Sequence, residues 1–280
     1  MSITLTITVP QPGHGPLVAP MGLATPHLGP ADFAVTGGSL ALMAEAQTGQ
    51  WAAVIRPEGG PVRLSTRFRT RGLPYPESLF AHRPNRFTRA AEALAQGAQD
   101  VAARAGGGAV GLKAIVNDVC AQFTYGHPET RFYEGTDEMP QLCGLTEGSC
   151  VDINAYLIAA LRAAGYEAGY VTGYFFPAEK RSHCEDMHCW VVTRHGGQGQ
   201  ERDSAHHLKM GRREIRPGLN PKPGVRVPMA HSMGLDLPDL GISEMKLIAQ
   251  PMALTENGPA WPEIEIRLEG YELLEALDGR

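Results

Sequence analysis

One cysteine in the sequence lies where the start of a helix can activate a thiol. From Cys150 onward, apolar side chains recur at helical spacing and Gly165 follows as a C-cap, so a helix is predicted from Cys150 to Ala164. A cysteine is a useful nucleophile only as a thiolate, and the unpaired N–H groups and dipole of a first helical turn favour that negative charge. Cys150 is therefore the candidate nucleophile.

A thiol nucleophile also needs a histidine base and an acceptor that holds the second ring nitrogen of the histidine. His188 lies in the strand-like segment 187–193, and Asp203 follows a glycine-rich turn. If 187–193 and 201–205 are neighbouring antiparallel strands, these two side chains can face each other across the sheet. The predicted catalytic triad is Cys150, His188 and Asp203, and its chemistry would be acyl transfer through a thioester.

The triad has to be positioned by helices and strands that the periodicity of the sequence predicts. The predicted helices are 87–105, 110–123 and 150–164. The predicted strands are 3–9, 33–36, 51–56, 62–71, 168–176, 187–193 and a last edge strand within 263–274, with the chain irregular between 215 and 263. The character of the sequence changes at Asn85, which predicts a β-rich domain at 1–84 and an α+β domain at 85–280.

Composition and charge exclude several classes of protein. The 280 residues are 43% hydrophobic and 20% charged with a net charge of −5, and the basic residues are scattered, which argues against binding to nucleic acid. There is no run of roughly 18 apolar residues for a membrane span and no signal-peptide pattern, so a cytoplasmic protein is expected. Five cysteines without a CxxC pair fit a reducing compartment. No cofactor is expected, and the oligomeric state stays open.

The ordered residues resemble the transglutaminase-like family over about 110–206. The resemblance is carried by Gly148-Ser-Cys150-Val-Asp152-Ile-Asn154, Gly165-Tyr-Glu-Ala-Gly-Tyr170, His188-Cys-Trp190 and Asp203. It implies a papain-like core, in which the helix bearing the cysteine packs on an antiparallel sheet, and a cysteine protease, amidase or transglutaminase-like activity on peptide or protein substrates. The β-rich beginning is similar to the region that precedes this core in many bacterial members.

The sequence also departs from the family at three places. Gly169 stands where the strand after the helix usually carries an arginine, and the aromatic residue that usually comes shortly before the aspartate is missing. Asp203 is followed instead by Ser-Ala-His206-His207, which suggests a distinct subgroup.

Further residues are candidates for stabilising the oxyanion or for contacting the substrate. The backbone N–H of Cys150 is the natural first donor to an oxyanion, and Tyr125 or Gln141 is the candidate second donor. Trp190 and His206 are candidate substrate contacts, while the other four cysteines are expected to be structural or incidental.

Two other interpretations remain. One is a catalytically inactive module of the same fold that binds peptides or proteins in the cleft. The other is a zinc-binding protein, because histidines and cysteines crowd one stretch of the chain, namely His183, Cys184, His188, Cys189, His206 and His207. Against zinc, His188 and Cys189 are successive strand residues that must point to opposite faces of the sheet.

Overall fold

The computed structural model describes residues 2–218 and 220–278, which form four antiparallel sheets, one parallel pair of strands and a helical layer. The strands of this part are β1 (Ile3–Val9), β2 (Leu17–Pro20), β3 (Gly29–Thr36), β4 (Gly38–Ala44), β5 (Trp51–Pro57), β6 (Val62–Arg69), β7 (Phe123–Tyr125), β8 (Thr146–Gly148), β9 (Glu167–Pro177), β10 (His183–Cys184), β11 (Met187–His195), β12 (Gln198–Arg202), β13 (Gly224–His231), β14 (Leu235–Leu237), β15 (Ile242–Met245), β16 (Met252–Thr255), β17 (Gly258–Ala260) and β18 (Glu265–Glu269). The helices are α1 (Glu77–Phe80), α2 (Glu92–Arg104), α3 (Gly108–Ala121), α4 (Cys150–Ala163), α5 (Ser204–Lys209) and α6 (Tyr271–Asp278). None of the described helices combines the length and the apolar character needed to cross a bilayer.

The central sheet has the order β12-β11-β9-β13, and all of its pairs are antiparallel. Strand β9 is buried on both faces, which explains its nearly continuous apolar sequence. Tyr170 packs against the helices, and Tyr174, further along the same face, packs against the N-terminal strands. Val171, on the other face, packs against Leu79 of α1. This sheet is therefore covered on both sides and provides a rigid support for the site.

Helix α4 lies against the central sheet and is the most buried helix of the described part. Its apolar residues belong to one core together with those of α2, α3 and β11. Gly165 follows the helix with a φ of 82°, the left-handed conformation that a C-cap glycine supplies. The predicted helix start at Cys150 and the predicted α+β class, with the cysteine helix on an antiparallel sheet, are both confirmed.

Two five-stranded sheets beside this core are built from both ends of the chain. Their orders are β10-β18-β1-β6-β3 and β17-β16-β2-β5-β4. The prediction that the last strand lies at a sheet edge is wrong, because β18 pairs with β1 on one side and with β10 on the other. The alternation of its buried Ile266 and Leu268 indicates one packed face but carries no information about neighbours. The domain boundary at residue 85 stays a prediction.

Two further predictions differ from the structure. The helix expected at 87–105 begins only at Glu92, because residues 86–88 form a turn and the N–H of Ala91 donates to the carbonyl of Met139 at 2.9 Å, which keeps Ala90 and Ala91 out of the helix. The segment expected to be irregular contains β13, an edge strand of the central sheet. Pro228 argues against a strand in the sequence. The proline is tolerated in β13 because it lies at a bulge, where the missing N–H costs little.

Candidate active site

Cys150 is the first residue of α4, and hydrogen bonds to Asp152 hold this N-terminal end of the helix in place. Asp152, in the first turn of the helix, accepts hydrogen bonds on Oδ2 from the backbone N–H of Ser149 at 2.9 Å and from the Ser149 hydroxyl at 2.6 Å. On Oδ1 it accepts from the hydroxyl of Tyr133 at 2.6 Å and from Arg131 at 2.9 Å. The N–H of Cys150 lies in the first turn, where no helical acceptor is available, so it can donate to a bound group.

His188 and Asp203 are brought together by the pairing of β11 with β12. These strands are antiparallel, as predicted, with Val191 opposite Arg202, but the strand expected at 201–205 ends at Arg202 because Ser204 begins α5. Asp203 follows β12 directly and caps α5, so its carboxylate turns back towards β11. His188 Nε2 lies 2.9 Å from Asp203 Oδ2, and both residues are buried. The other ring nitrogen of His188, Nδ1, is thus left for Cys150.

The electrostatics favour a thiolate–imidazolium pair between Cys150 and His188. The pKa of Cys150 is lowered to about 5, chiefly by a hydrogen bond from the Cys189 thiol. Burial opposes this shift, and the hydrogen bond and positive charge of His188 add to it. Burial opposes protonation of His188, but the charge and hydrogen bond of Asp203, together with Cys150, raise its pKa to about 9. Asp203 is buried too, yet the same pairing with His188 keeps its pKa well below the usual value.

Cys189 has a part in this site that the sequence did not reveal. Burial and the adjacent Cys150 raise its pKa well above that of an ordinary thiol, so Cys189 stays protonated and donates. His188 and Cys189 leave β11 on opposite faces, and Cys150, at the end of α4, interacts with both side chains. The position of Cys189 directly after His188 was the sequence signal for this role. If His188 lies beside the start of α4, the next residue of the strand also lies close to that helix.

His206 lies closer to the predicted triad than a substrate contact would require. Its ring stacks on that of His188, with centroids 4.0 Å apart and planes inclined by 11°. Its Nδ1 is 3.0 Å from Asp203 Oδ2. Phe175 packs against both histidine rings, with its ring centroid 4.5 Å from that of His206 and 6.0 Å from that of His188.

A cavity of about 420 Å³ opens over Cys150 and His188. Tyr125 and His206 line it, so two of the candidate contacts reach the space where a substrate would lie. Its charged lining residues are Arg131, Glu179, Lys180, Glu185, Asp186, Lys209 and Lys222. The mixture of signs suits a polar substrate such as a peptide.

The structure does not bring the other two candidates into this cavity. Gln141 lines a separate cavity beside α2, and its side-chain amide donates to the carbonyl of Leu142, so its assignment as an oxyanion donor is wrong. The loop is held there because the N–H of Leu142 donates to the hydroxyl of Tyr156, far along α4 from the cysteine. Trp190 is almost fully buried next to His188, at 6.1 Å between ring centroids, and therefore supports the histidine instead of touching substrate.

The residues of the zinc interpretation do not converge as a set. His183 is exposed on β10, while His207 is buried with its two ring nitrogens engaged by the carbonyl of Asp203 and the N–H of Arg216. Within the part of the chain that the structure describes, the group able to hold a metal ion is His188, Asp203 and His206, whose ligand atoms lie within 4.8 Å of one another.

Arg226 is a second neighbour of the triad that the sequence did not reveal, since it lies on the unpredicted strand β13. Its guanidinium is 2.6 Å from Glu201 and 3.9 Å from Asp203 Oδ2, and it lies over the ring of Trp190 at 5.1 Å. A positive charge thus reaches Asp203 from β13, although position 169 on β9 has no arginine. Gly169 itself is explained by α1, because a Cβ there would lie 2.3 Å from Cγ of Leu79.

Comparisons with known proteins concern the family and the fold. Residues 93–199 match the family model of the transglutaminase-like superfamily. The crystal structure of a putative cysteine protease from Cytophaga hutchinsonii is similar over 96% of this chain and 98% of that chain, with a TM-score of 0.54 and 14% identity, and this likeness concerns the fold. A putative protease from Parabacteroides distasonis aligns with 71% of this chain and 42% of that chain, at a TM-score of 0.31 and 13% identity. No curated protein sequence matches the chain.

Proposed function

We propose that the chain, whose residues 93–199 match the transglutaminase-like superfamily, is a cysteine-dependent hydrolase or acyltransferase acting on peptide or amide substrates. Cys150 is the nucleophile, His188 the general base and acid, and Asp203 the group that orients His188. The observation that carries this proposal is that Cys150, at the start of a helix, and His188 line the same cavity, and that His188 Nε2 lies 2.9 Å from Asp203 Oδ2.

The reaction begins with attack of the Cys150 thiolate on the carbonyl carbon of the substrate. The C–S bond forms, and the C–N bond breaks as the imidazolium of His188 gives its proton to the leaving amine. Neutral His188 then takes a proton from water, whose oxygen attacks the thioester and releases the acid and the thiolate. An amine in place of water gives transamidation, and water is the default acceptor.

The oxyanion of each tetrahedral intermediate needs donors in the cavity. The backbone N–H of Cys150 supplies one from the first turn of α4. The hydroxyl of Tyr125 is the candidate second donor, because this residue lines the same cavity as Cys150. Burial and the nearby charge of Cys150 raise the pKa of Tyr125, so the phenol keeps its proton and remains a donor across the working pH range.

Alkylation by iodoacetamide, followed by peptide mapping, tests this proposal without knowledge of the substrate. Cys143 is the exposed reference thiol, and Cys150 is buried, so accessibility favours Cys143. An activated thiolate makes Cys150 react first at about pH 6, where an ordinary thiol is protonated. The His188→Ala variant should remove this selectivity. If Cys143 reacts first and Cys150 responds only above about pH 8, the proposal is wrong.

The alternatives of an inactive binding module and a zinc protein give other outcomes. A binding module would leave Cys150 no more reactive than the other thiols. A zinc site at His188, Asp203 and His206 would hold metal in stoichiometric amount in the purified protein, and its removal would destabilise the fold. The bacterial origin and cytoplasmic location expected from the sequence remain predictions.

A further inference from the structure

One positive charge in the wall of the active-site cavity is not balanced by the other residues of the wall. We propose that this residue, Lys209, binds a carboxylate of the substrate beside Cys150, so that the substrate is an acidic peptide. The inference rests on the proposed function, because it assigns a specificity-determining residue to the same site. The recognition concerns a part of the substrate away from the reacting carbon, and the three triad residues take no part in it.

Three of the four lysine and arginine side chains that line the cavity are ion-paired. These pairs are Arg131 with Asp152 at 2.9 Å, Lys222 with Glu179 at 3.6 Å, and Lys180 with Glu185. The fourth is Lys209, and among the residues that the structure describes no carboxylate lies within ion-pairing distance of its ammonium group. Lys209 is therefore the cation of this cavity that can take an acidic group from a substrate.

Lys209 is held at the part of the wall that adjoins the start of α4. It is the last residue of α5, and its Nζ lies 5.1 Å from the centre of the Tyr125 ring. Tyr125 lies opposite Gly148 in the pairing of β7 with β8, and Gly148 precedes Cys150 by two residues. A contact between a cation and an aromatic ring positions the charge without neutralising it. The ammonium group thus keeps its charge on the side of the cavity where Cys150 lies.

The acidic side chains of the cavity do not occupy Lys209. Two of the three that line it, Glu179 and Glu185, belong to the ion pairs of the wall. The third, Asp186, lies between β10 and β11, where its Oδ1 accepts a hydrogen bond from the N–H of Met187 at 2.7 Å. Lys209 is also exposed, so a substrate reaches it without displacing a partner from the wall.

The test compares two alkylating reagents of nearly equal size, iodoacetate and iodoacetamide, of which only the first is negatively charged. The measured quantity is the ratio of their rates at Cys150, because the intrinsic reactivity of the thiol cancels in this ratio. Lys209→Met should lower the ratio of iodoacetate to iodoacetamide roughly two- to fivefold at low salt, the worth of one exposed ion pair. Lys209→Arg, which retains the charge, should preserve it. Lys113→Met removes an exposed lysine of α3 outside the cavity and is the matched control.

The assignment of an acidic peptide is tested by protection of Cys150 from iodoacetamide. Acetylated and amidated tripeptides of glutamate and of glutamine have nearly the same shape and differ in charge. The glutamate peptide should protect Cys150 at a lower concentration than the glutamine peptide, and Lys209→Met should remove this difference. Equal protection by the two peptides, or protection by neither, would contradict the assigned substrate class.

An equal ratio of the two rates in wild type and in Lys209→Met would overturn the inference, since Lys209 would then only cover Tyr125 and favour the end of α5. A fall in the ratio that persists undiminished at high salt would also overturn it, because the attraction of exposed charges is screened. Failure of the proposed function is recognised separately, by a wild-type Cys150 that reacts with neutral iodoacetamide no faster than Cys143. The ratio of rates can still be measured in that case from slow labelling.

Discussion

The side-chain amide of Asn154 donates to the backbone carbonyl of Cys189 at 3.0 Å and reaches its sulfur at 3.5 Å. Asn154 lies one turn after Cys150 on α4, and Cys189 directly follows His188 on β11. This bond thus joins the helix that carries the candidate nucleophile to the strand that carries the candidate base. Both residues are fully buried, so the contact is protected from competition with water.

Replacing Asn154 with Ala should therefore loosen the Cys150–His188 pair as well as the fold. The buried carbonyl of Cys189 loses its partner, which should lower the free energy of unfolding by about 1–3 kcal/mol. Alkylation of Cys150 at mildly acidic pH should slow, since the thiolate depends on the nearby His188. Chemical denaturation and alkylation kinetics measure the two effects, with the exposed Asn257→Ala as control. Unchanged reactivity in a destabilised protein would mean that the bond holds the fold only.

Asp152 should stabilise the protein in a pH-dependent manner. Burial opposes its ionisation, but the hydrogen bonds from Ser149 and Tyr133 and the charge of Arg131 bring its pKa below the usual value. Asp152→Asn should lower the free energy of unfolding at neutral pH by about 2–4 kcal/mol, because four donors lose a charged acceptor. A carboxyl group with a lowered pKa contributes its stability above the unfolded value of about 3.9 and loses it as the pH falls through the folded value. The difference from wild type in urea denaturation should therefore shrink below about pH 4, and a constant difference would contradict the assigned charge.

The sequence predicts which residues of this site lie together better than it predicts the contacts that hold them there. Cys150, His188 and Asp203 were identified because a helix start, a strand and a turn are local patterns, and the structure brings these three residues together. Gln141 was assigned wrongly because loop direction depends on long-range contacts, here the bond from Leu142 to Tyr156. Such contacts between distant parts of the chain do not produce a periodic pattern in the sequence.

Arg226 and the position of His206 beside Asp203 were missed for a related reason. Arg226 lies on β13, where Pro228 indicates a break in the strand although it occupies a bulge of an edge strand. The position of His206 depends on α5 starting directly after Asp203, and a six-residue helix is too short to give a periodic signal. The pairing of β18 with β1 joins residues from opposite ends of the chain and is equally invisible to local patterns.

Gly169 should be intolerant of any side chain, including the arginine usual in the family. A Cβ at this position would lie 2.3 Å from Leu79 Cγ and 2.7 Å from the carbonyl oxygen of Leu79, so backbone would have to move. Gly169→Ala should lower the free energy of unfolding by about 1–3 kcal/mol through overpacking. Gly199→Ala is the matched control in the same sheet, because its nearest neighbour, Tyr75, lies at an ordinary 3.4 Å. Equal stability of the two variants in thermal denaturation would contradict this prediction, because it would mean that α1 moves away from β9 at little cost in free energy.

Asp203→Asn should narrow the pH range in which Cys150 is a thiolate paired with a charged His188. In the wild type this range extends from about 5, the pKa of Cys150, to about 9, the pKa of His188. Asparagine preserves the shape of Asp203 but removes the charge that holds the proton on His188, so the upper limit should fall. The lower limit should not rise, because the negative charge of Asp203 opposes ionisation of Cys150 in the wild type. The thiolate absorbance in the ultraviolet, measured against Cys150→Ser, reports both limits directly. The upper limit should fall by about one pH unit or more, one pKa unit being worth 1.36 kcal/mol. The exposed Asp239→Asn is the control, and a triad variant that matches it would mean that Asp203 is dispensable for the charge on His188.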